Sequence, residues 1–354
     1  MQKKSRETST REGWSDGNHV GAQMSARDSN YPMKKTKSAL GTLLKVLISL
    51  GLMALLVSHL DLSQFYRIFI DADLTYLSLA IGAYFVGKLI TSARWAVLAR
   101  PLGFENPFKE FAAFYFLGMF FNLFAPTTLG GDAGRVFYLS RAAASGRGED
   151  WKNLISRALI SVAADRIIGL AVLVWIGSVA LVIFPDYAES VPWLVRYFVF
   201  AAAVGSLGSW FLLPFAAAFF QRWGKSSVEA VRAALATYWS KPRIMGQAIL
   251  LSGLIHLIQT WIQVLLGRTL NIDLPWSYCF IFFPLVDILS ALPVSVSGIG
   301  IREGGYFFFL GKLGVKPEAA IACGVLWLVI VLINGLLGGI GFLLYRRSLA
   351  CRRP

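Results

Sequence analysis

Apolar positions gather into eight long runs, at roughly residues 39–58, 74–98, 108–125, 154–184, 193–214, 244–267, 276–293 and 319–344. About 20 helical residues cross a bilayer at ~1.5 Å each, so each run is read as a helix entering a membrane. Runs three and seven are short, 18 residues each, and end in Pro and Gly. The charges between the runs decide whether those two cross. Segments 99–110 and 132–153 both carry positive charge close to the membrane, and 220–243 is basic (Arg222, Lys225, Arg232, Lys241, Arg243 against Glu229). Segments 59–73 (Asp61, Asp71, Asp73 against Arg67) and 185–192 (Asp186, Glu189) lean acidic, and the tail carries Arg346, Arg347, Arg352 and Arg353 without an acid. Cytoplasmic loops hold the excess of lysine and arginine. That rule puts both termini in the cytoplasm and leaves runs three and seven without a net crossing. The predicted fold is an all-α polytopic membrane protein with six full transmembrane helices and two re-entrant Pro/Gly hairpins, one dipping in from the cytoplasm and one from outside.

The two hairpins share a plan. Residues 123–141 read LFAPTTLGGDAGRVFYLSR and residues 292–302 read LPVSVSGIGIR. In each, a proline ends an apolar run (Pro126, Pro293) and the chain breaks into glycines (Gly130 and Gly131; Gly298 and Gly300). An arginine then falls nine residues after the proline (Arg135, Arg302). Irregular backbone at membrane depth survives only where protein buries it or water reaches it, and two corresponding breaks point to a transporter's binding site. An offset of 167 residues matches both pairs. It also carries Lys88 to within one residue of His256 and Arg166 to within one of Asn334. The second, third and fourth runs are thus read as one unit and the last three as its repeat in opposite orientation, an inverted repeat.

Composition agrees with that class. The chain is 56% apolar, 14% aromatic and 15% charged, with mean hydropathy +0.59, which excludes an ordinary soluble domain. The net charge of +14 could suggest nucleic acid, but the basic residues flank apolar runs, so no nucleic-acid partner is expected. Three scattered cysteines lack metal-ligand spacing, and neither a metal nor a cofactor is expected. Residues 1–38, with eight Lys/Arg against four Asp/Glu, read as a disordered cytoplasmic tail, 39–345 as the membrane domain and 346–354 as a basic cytoplasmic tail. Met33, followed by Lys34 and Lys35, is an alternative start of translation. No cleavable signal is expected.

Ionisable groups within the runs mark the candidate chemistry, since each costs at least ~2.5–3.5 kcal/mol at mid-bilayer. Lys88 and Arg94 lie in run two, where Arg94 is read as snorkelling to the interface. Arg157, Ser161 and Asp165 follow at four-residue steps on one face of run four, with Arg166 adjacent. Asp165 either locks helices through one of these cations or balances charge in a cavity; cations outnumber acids, leaving one for an anion. Run six carries Ser252, His256, Gln259, Thr260 and Gln263 as a stripe toward the bundle interior. Interhelical bonding and a substrate path explain that stripe equally well. Gly335 and Gly339 are read as close packing. At the hairpins, helix N-termini after the glycines would aim positive dipole ends at an anion, and Arg135 and Arg302 offer forks for phosphate. The alternative is that Asp132–Arg135 and Arg302–Glu303 only cap the turns.

These motifs carry a resemblance. The proline, Gly130-Gly131-Asp132 and Arg135, then Asp165-Arg166-Ile167-Ile168-Gly169-Leu170, then Pro293 and Ser297-Gly298-Ile299-Gly300-Ile301-Arg302-Glu303 resemble the transmembrane region of lysylphosphatidylglycerol synthases over about residues 40–345. The resemblance implies lipid translocation, because in the full-length synthases that region moves an aminoacylated phospholipid between leaflets. Ser297 stands where many relatives have glycine, and the last run lacks an arginine around Trp327 and Leu328. Only nine residues follow Tyr345, so lysyl transfer is not carried over.

The expected function is therefore a non-enzymatic lipid flippase of the cytoplasmic (inner) membrane. It would move an anionic lipid of phospholipid or polyprenyl-phosphate type, and a separate lipid-modifying or glycosyl-transferring enzyme would be its partner. Lys88, Asp132, Arg135, Arg157, Asp165, Arg166, His256, Gln259, Arg302 and Glu303 form the candidate substrate-binding set, with no catalytic residue. Arg135 and Arg302 are expected near the interfaces, engaging phosphate in turn. No nucleotide-binding motif is present, and His256 and Asp165 are candidate proton sites. The alternatives are a lipid headgroup enzyme using Asp132, Glu303 and His256, and a scaffold for cell-envelope assembly.

Overall fold

A computed structural model describes residues 35–58, 60–124, 129–147, 149–220, 226–291, 295–296 and 298–350. Pro126, Pro293 and Ser297 lie outside the described residues. The chain divides into residues 1–44 and 45–354. Of the first unit only the opening turns of the first helix are described, and they begin at Lys35, inside the segment expected to be a tail; the remaining observations concern the second.

The helices are α1 (Lys35–Ser58), α2 (Leu62–Ile70), α3 (Leu74–Ala99), α4 (Phe108–Phe124), α5 (Leu129–Arg147), α6 (Trp151–Ile183), α7 (Pro185–Ala188), α8 (Trp193–Phe220), α9 (Ser226–Trp239), α10 (Pro242–Thr269), α11 (Trp276–Ala291), α12 (Ile301–Gly311) and α13 (Pro317–Ala350). No strand occurs among the described residues. Among them α3, α6, α10 and α13 are long and apolar enough to cross a membrane. A fifth span is present if residues 46–58 of α1 and α2, which meet at 92°, count as one bent span. Residues 193–209 of α8 and the whole of α11 form shorter apolar helices. The protein is a multi-pass, all-helical membrane protein.

The central pair is α3 and α10, antiparallel. The Asp73 N–H donates to the Thr269 carbonyl (2.9 Å) at one end, and Arg94 reaches Ser252 toward the other. Around them α4 packs on α5 and α13, while α11 packs on α12 and α6. Helices α4 and α5 form an antiparallel hairpin whose tight point is glycine on glycine. A Cβ on Gly131 would sit 2.1 Å from the Gly118 carbonyl oxygen, so only hydrogen fits there. The Gly131 N–H donates to Asn122 Oδ1 (2.7 Å). Gly130 and Gly131 therefore belong to the first turn of α5, correcting their reading as the helix break. The job of Gly131 is close approach, not reversal.

Helices α11 and α12 are also antiparallel, with the Tyr278 hydroxyl donating to the Phe309 carbonyl (2.7 Å). Here the glycines do reverse the chain. Gly298 (φ 80°) and Gly300 (φ 85°) occupy the left-handed region just before α12, where side chains are strained. Close packing also explains the small residues of α13: a Cβ on Gly338 would meet the Phe116 carbonyl oxygen at 2.6 Å, and one on Gly339 would meet the Phe120 ring at 2.5 Å.

The acidic segment 59–73, expected to be a loop, contains α2. Asp61 caps it, accepting from the Ser63 and Gln64 amides at 2.9 and 3.3 Å and from both side chains. These bonds, the one from the Ser63 hydroxyl foremost, hold its carboxyl down at about 2. Phe65, Ile68 and Phe69 pack on the core while Leu62, Tyr66 and Ile70 stay exposed. A nine-residue helix is too short to stand out against a hydropathy pattern built on membrane spans.

Candidate functional site

The polar centre lies where α3, α5, α6 and α10 meet. Asp165 on α6 is 2% exposed, and a different arginine takes each of its oxygens. Arg94 Nε donates to Oδ1 (2.8 Å) and Arg135 Nη2 donates to Oδ2 (3.0 Å). Arg94 Nη1 continues to the Ser252 hydroxyl (2.8 Å), which in turn donates to the Ala248 carbonyl (2.7 Å). Arg94 does not snorkel to the interface; it is buried as the partner of Asp165. The reason is local. Gly169 lies one helical turn after Asp165, and a Cβ there would stand 3.0 Å from Arg94 Nη1. The aspartate binds the guanidinium and the glycine makes room for it.

Arg135 is the most enclosed cation among the described residues, with its guanidinium 4.2 Å from the Trp95 ring and 4.5 Å from that of Tyr115. Those faces favour a cation. Trp95 is itself fixed by its indole N–H to the Ser161 hydroxyl (3.1 Å). Arg135 Nη1 also reaches Asp132 Oδ1 (3.4 Å), while Nε is buried without a partner among the described residues. Arg135 was expected near an interface and outside the packing; it is instead part of the core. Asp132 receives Arg166 through both oxygens, at 3.0 and 3.1 Å. That arginine's side chain is half exposed. The five residues hold three guanidiniums against two carboxylates, one positive charge in excess.

A second polar group surrounds α12. Glu303 is fully buried. Its Oε2 accepts from the Gly300 N–H (2.6 Å), and Oε1 has no partner among the described residues. Arg302 is half-buried and has no carboxylate within ion-pair distance among the described residues. Lys88 Nζ lies 4.4 Å from the Tyr84 ring centroid. Asp287, partly buried on α11, adds a carboxylate to the interior of an apolar helix. His256 links the two groups. Its Nε2 lies 3.0 Å from the Gly169 carbonyl oxygen and its Nδ1 3.1 Å from Gln259 Oε1. Gln263 then bonds back to the Gln259 carbonyl (3.3 Å) and accepts from the Tyr306 hydroxyl.

Arg135, Asp165, Asp132 and Arg166 thus come together as one cluster, and Lys88, His256, Gln259, Arg302 and Glu303 fall around it or around the second hairpin. Arg157 does not join them; it turns to Glu149 and the Phe104 ring. Sequence reasoning passed over Asp287, although a carboxylate inside an apolar run is the same signal that selected Asp165. The aromatic walls of Arg135, Trp95 and Tyr115, had no signal apart from their neighbours.

Residues 42–339 match the family described as the lysylphosphatidylglycerol synthase TM region. The chain belongs to that family. The motif residues clustered above all fall within the match. Among curated relatives, it is 26% identical over 132 residues to a UPF0104 membrane protein of Methanocaldococcus jannaschii, covering 37% of this chain and 38% of that one. It is 25% identical over 126 residues to a UPF0104 membrane protein of Pyrococcus horikoshii, covering 35% and 36%. The matched segments span well under half the length of these relatives.

Proposed function

We propose that this protein moves a phosphate-bearing lipid between leaflets of the cytoplasmic membrane without altering it chemically. One observation carries the reading: a half-exposed guanidinium, Arg166, in the middle of the longest fully described apolar span. Arg166 stands fifteen residues into α6, about 22 Å along the helix at ~1.5 Å per residue. In hydrocarbon it would cost at least ~2.5–3.5 kcal/mol. A wet groove removes that cost. Asp132 beside it and the excess positive charge behind it suit the groove to an anionic headgroup whose chains remain in lipid. The family's connection with a phospholipid synthase favours a phospholipid over other anionic amphiphiles.

The finer architecture follows the same reading. Helices α4–α5 and α11–α12 are two re-entrant hairpins, supported by α12 having 11 residues, about 16 Å of helix against a ~30 Å hydrocarbon core. The inverted repeat is supported by the packing pattern. Exchanging α3 with α10, α4 with α11, α5 with α12 and α6 with α13 turns each observed pair into another observed pair, α4 on α13 becoming α11 on α6. Both termini are cytoplasmic in this reading, and Arg302 and Lys88 serve the leaflet opposite to Arg166.

Purified protein in liposomes, with leaflet-resolved assay of fluorescent or isotopic phosphatidylglycerol, tests it. Redistribution of unchanged lipid is expected. Altered lipid chemistry would replace the reading with an enzyme, and neither change would leave a scaffold.

A further inference from the structure

A cavity of about 660 Å³ opens at the end of the bundle away from Arg94 and Asp165, between α2, the α10–α11 connection and the α12–α13 connection. Two cations line it, Arg67 at the end of α2 and Lys316 before α13. Neither has a carboxylate within ion-pair distance among the described residues. Of the two acids in the wall, Asp273 is taken by Arg268 (3.0 Å), leaving Asp71 alone against two cations. Gln64 and Asn271 add hydrogen-bonding groups. Asn271 is held in place, with φ 55° and its side-chain amide on the Asp71 carbonyl (3.4 Å). The rest of the wall, including Ile68, Ile272, Pro275, Leu313 and Val315, is apolar or small.

We propose that this cavity is a second, rim binding site for the phosphate of an anionic phospholipid. The phosphate sits between Arg67 and Lys316, and the chains run along the outer face of α2. The size falls in the range of ligand sites. What favours a lipid over a soluble phosphate is α2 itself: Leu62, Tyr66 and Ile70 on its outer face are each more than 60% exposed. Such a face suits the acyl–headgroup boundary, and there the cavity opens where a headgroup and its chains part. The inference uses the translocation reading only for the purpose of the site, as the place where a headgroup waits before or after crossing; binding here does not require it.

The test reads occupancy without transport. The full chain, its native cysteines replaced by serine, carries a fluorophore on a cysteine at Val315 and is held in phosphatidylcholine nanodiscs. These are doped with headgroup-proximal nitroxide lipid, either phosphatidylglycerol or phosphatidylcholine. Two cations near a membrane surface support about a tenfold or greater preference for the anionic lipid. The preference should collapse in Arg67→Ala/Lys316→Ala and persist in Arg67→Lys, while millimolar inorganic phosphate leaves it intact. Equal quenching by both lipids, or a preference that survives loss of both cations, overturns the proposal. Displacement by inorganic phosphate overturns the lipid assignment in favour of a soluble ligand. Because the readout is binding, a flippase assay that fails while rim quenching persists would remove the translocation reading and leave this site standing.

Discussion

The two hairpins carry an arginine at matching positions, yet the structure treats them in opposite ways. In the first, Arg135 lies between Trp95 and Tyr115 with Asp165 and Asp132 on its donors. In the second, Arg302 stands half-buried, while the carboxylate next to it, Glu303, bonds to the backbone of the turn. Side-chain charge ties the first hairpin to α6, whereas left-handed glycines and a buried glutamate shape the second just before α12. The charge of the Asp165 cluster is therefore mostly committed to structure, and of its described members Arg166 is the one that faces outward. In the second hairpin Arg302 meets no carboxylate among the described residues. A matched sequence pattern need not mean a matched task.

The largest effect that would test this contrast is at Asp165. Asp165→Ala leaves Arg94 and Arg135 buried without their shared counter-ion, and breaking a buried pair costs about 3–5 kcal/mol. Little folded protein should survive detergent extraction, as read by gel-filtration yield and thermal midpoint. Arg302→Ala should instead leave yield and midpoint near those of the unaltered protein. Its transport per folded molecule should fall at least about tenfold, and Arg302→Lys should recover part of it because charge remains while the planar fork is lost. If Asp165→Ala folds normally, or Arg302→Ala is the one that unfolds, the contrast is wrong.

Next in size are the glycines. Gly131→Ala puts a methyl 2.1 Å from the Gly118 oxygen, so α4 and α5 must separate, costing about 1–3 kcal/mol as overpacking does. Gly298→Ala adds a clash with Ser290 at 2.9 Å to a positive φ, and strain of that kind costs about 1–3 kcal/mol. The costs are alike but the mechanisms differ, and second changes separate them. Asn122→Ala should not relieve Gly131→Ala, since the Gly118 backbone oxygen still stands in the way. Gly298→Asn should be milder than Gly298→Ala, because asparagine tolerates left-handed backbone. Thermal midpoints of the four variants check both statements.

Much of this was legible in the chain. The apolar runs gave the long helices within a few residues, and the pairing of Gly130-Gly131-Asp132 with Arg135 located one wall of the polar centre. What was not legible has a common cause: a one-dimensional hydropathy pattern cannot say which polar group meets which. Arg94 looked like a residue near a helix end that could reach water; only the crossing of α3 with α6 makes it the partner of Asp165. Arg157 sits on the same stripe as Asp165, yet Glu149 on the adjoining connection captures it. Helices α2 and α12, of nine and 11 residues, hide beneath the length scale that bilayer thickness imposes on the reading.

The smallest expected effect is at the pair joining the two behaviours, Asp132 with Arg166. Its geometry is bidentate, at 3.0 and 3.1 Å, which on geometry alone would suggest a strong bond. Exposure argues the other way: the Arg166 side chain is 50% exposed and that of Asp132 16%, and solvent-reached pairs are worth about 0–1 kcal/mol. A double-mutant cycle with Arg166→Ala and Asp132→Ala separates the two. If water fills the groove, the coupling energy from thermal unfolding should stay below about 1 kcal/mol. Arg166→Ala would then reduce phosphatidylglycerol transport more than it reduces stability. Asp132 also touches Arg135 at 3.4 Å, so Asp132→Ala should cost more than Arg166→Ala, and the cycle subtracts that difference. A coupling of about 3 kcal/mol or more would place the pair in a dry interior, with the strength of a buried bridge. Arg166 would then be one more lock on the first hairpin, and the groove would have no charged wall facing the lipid.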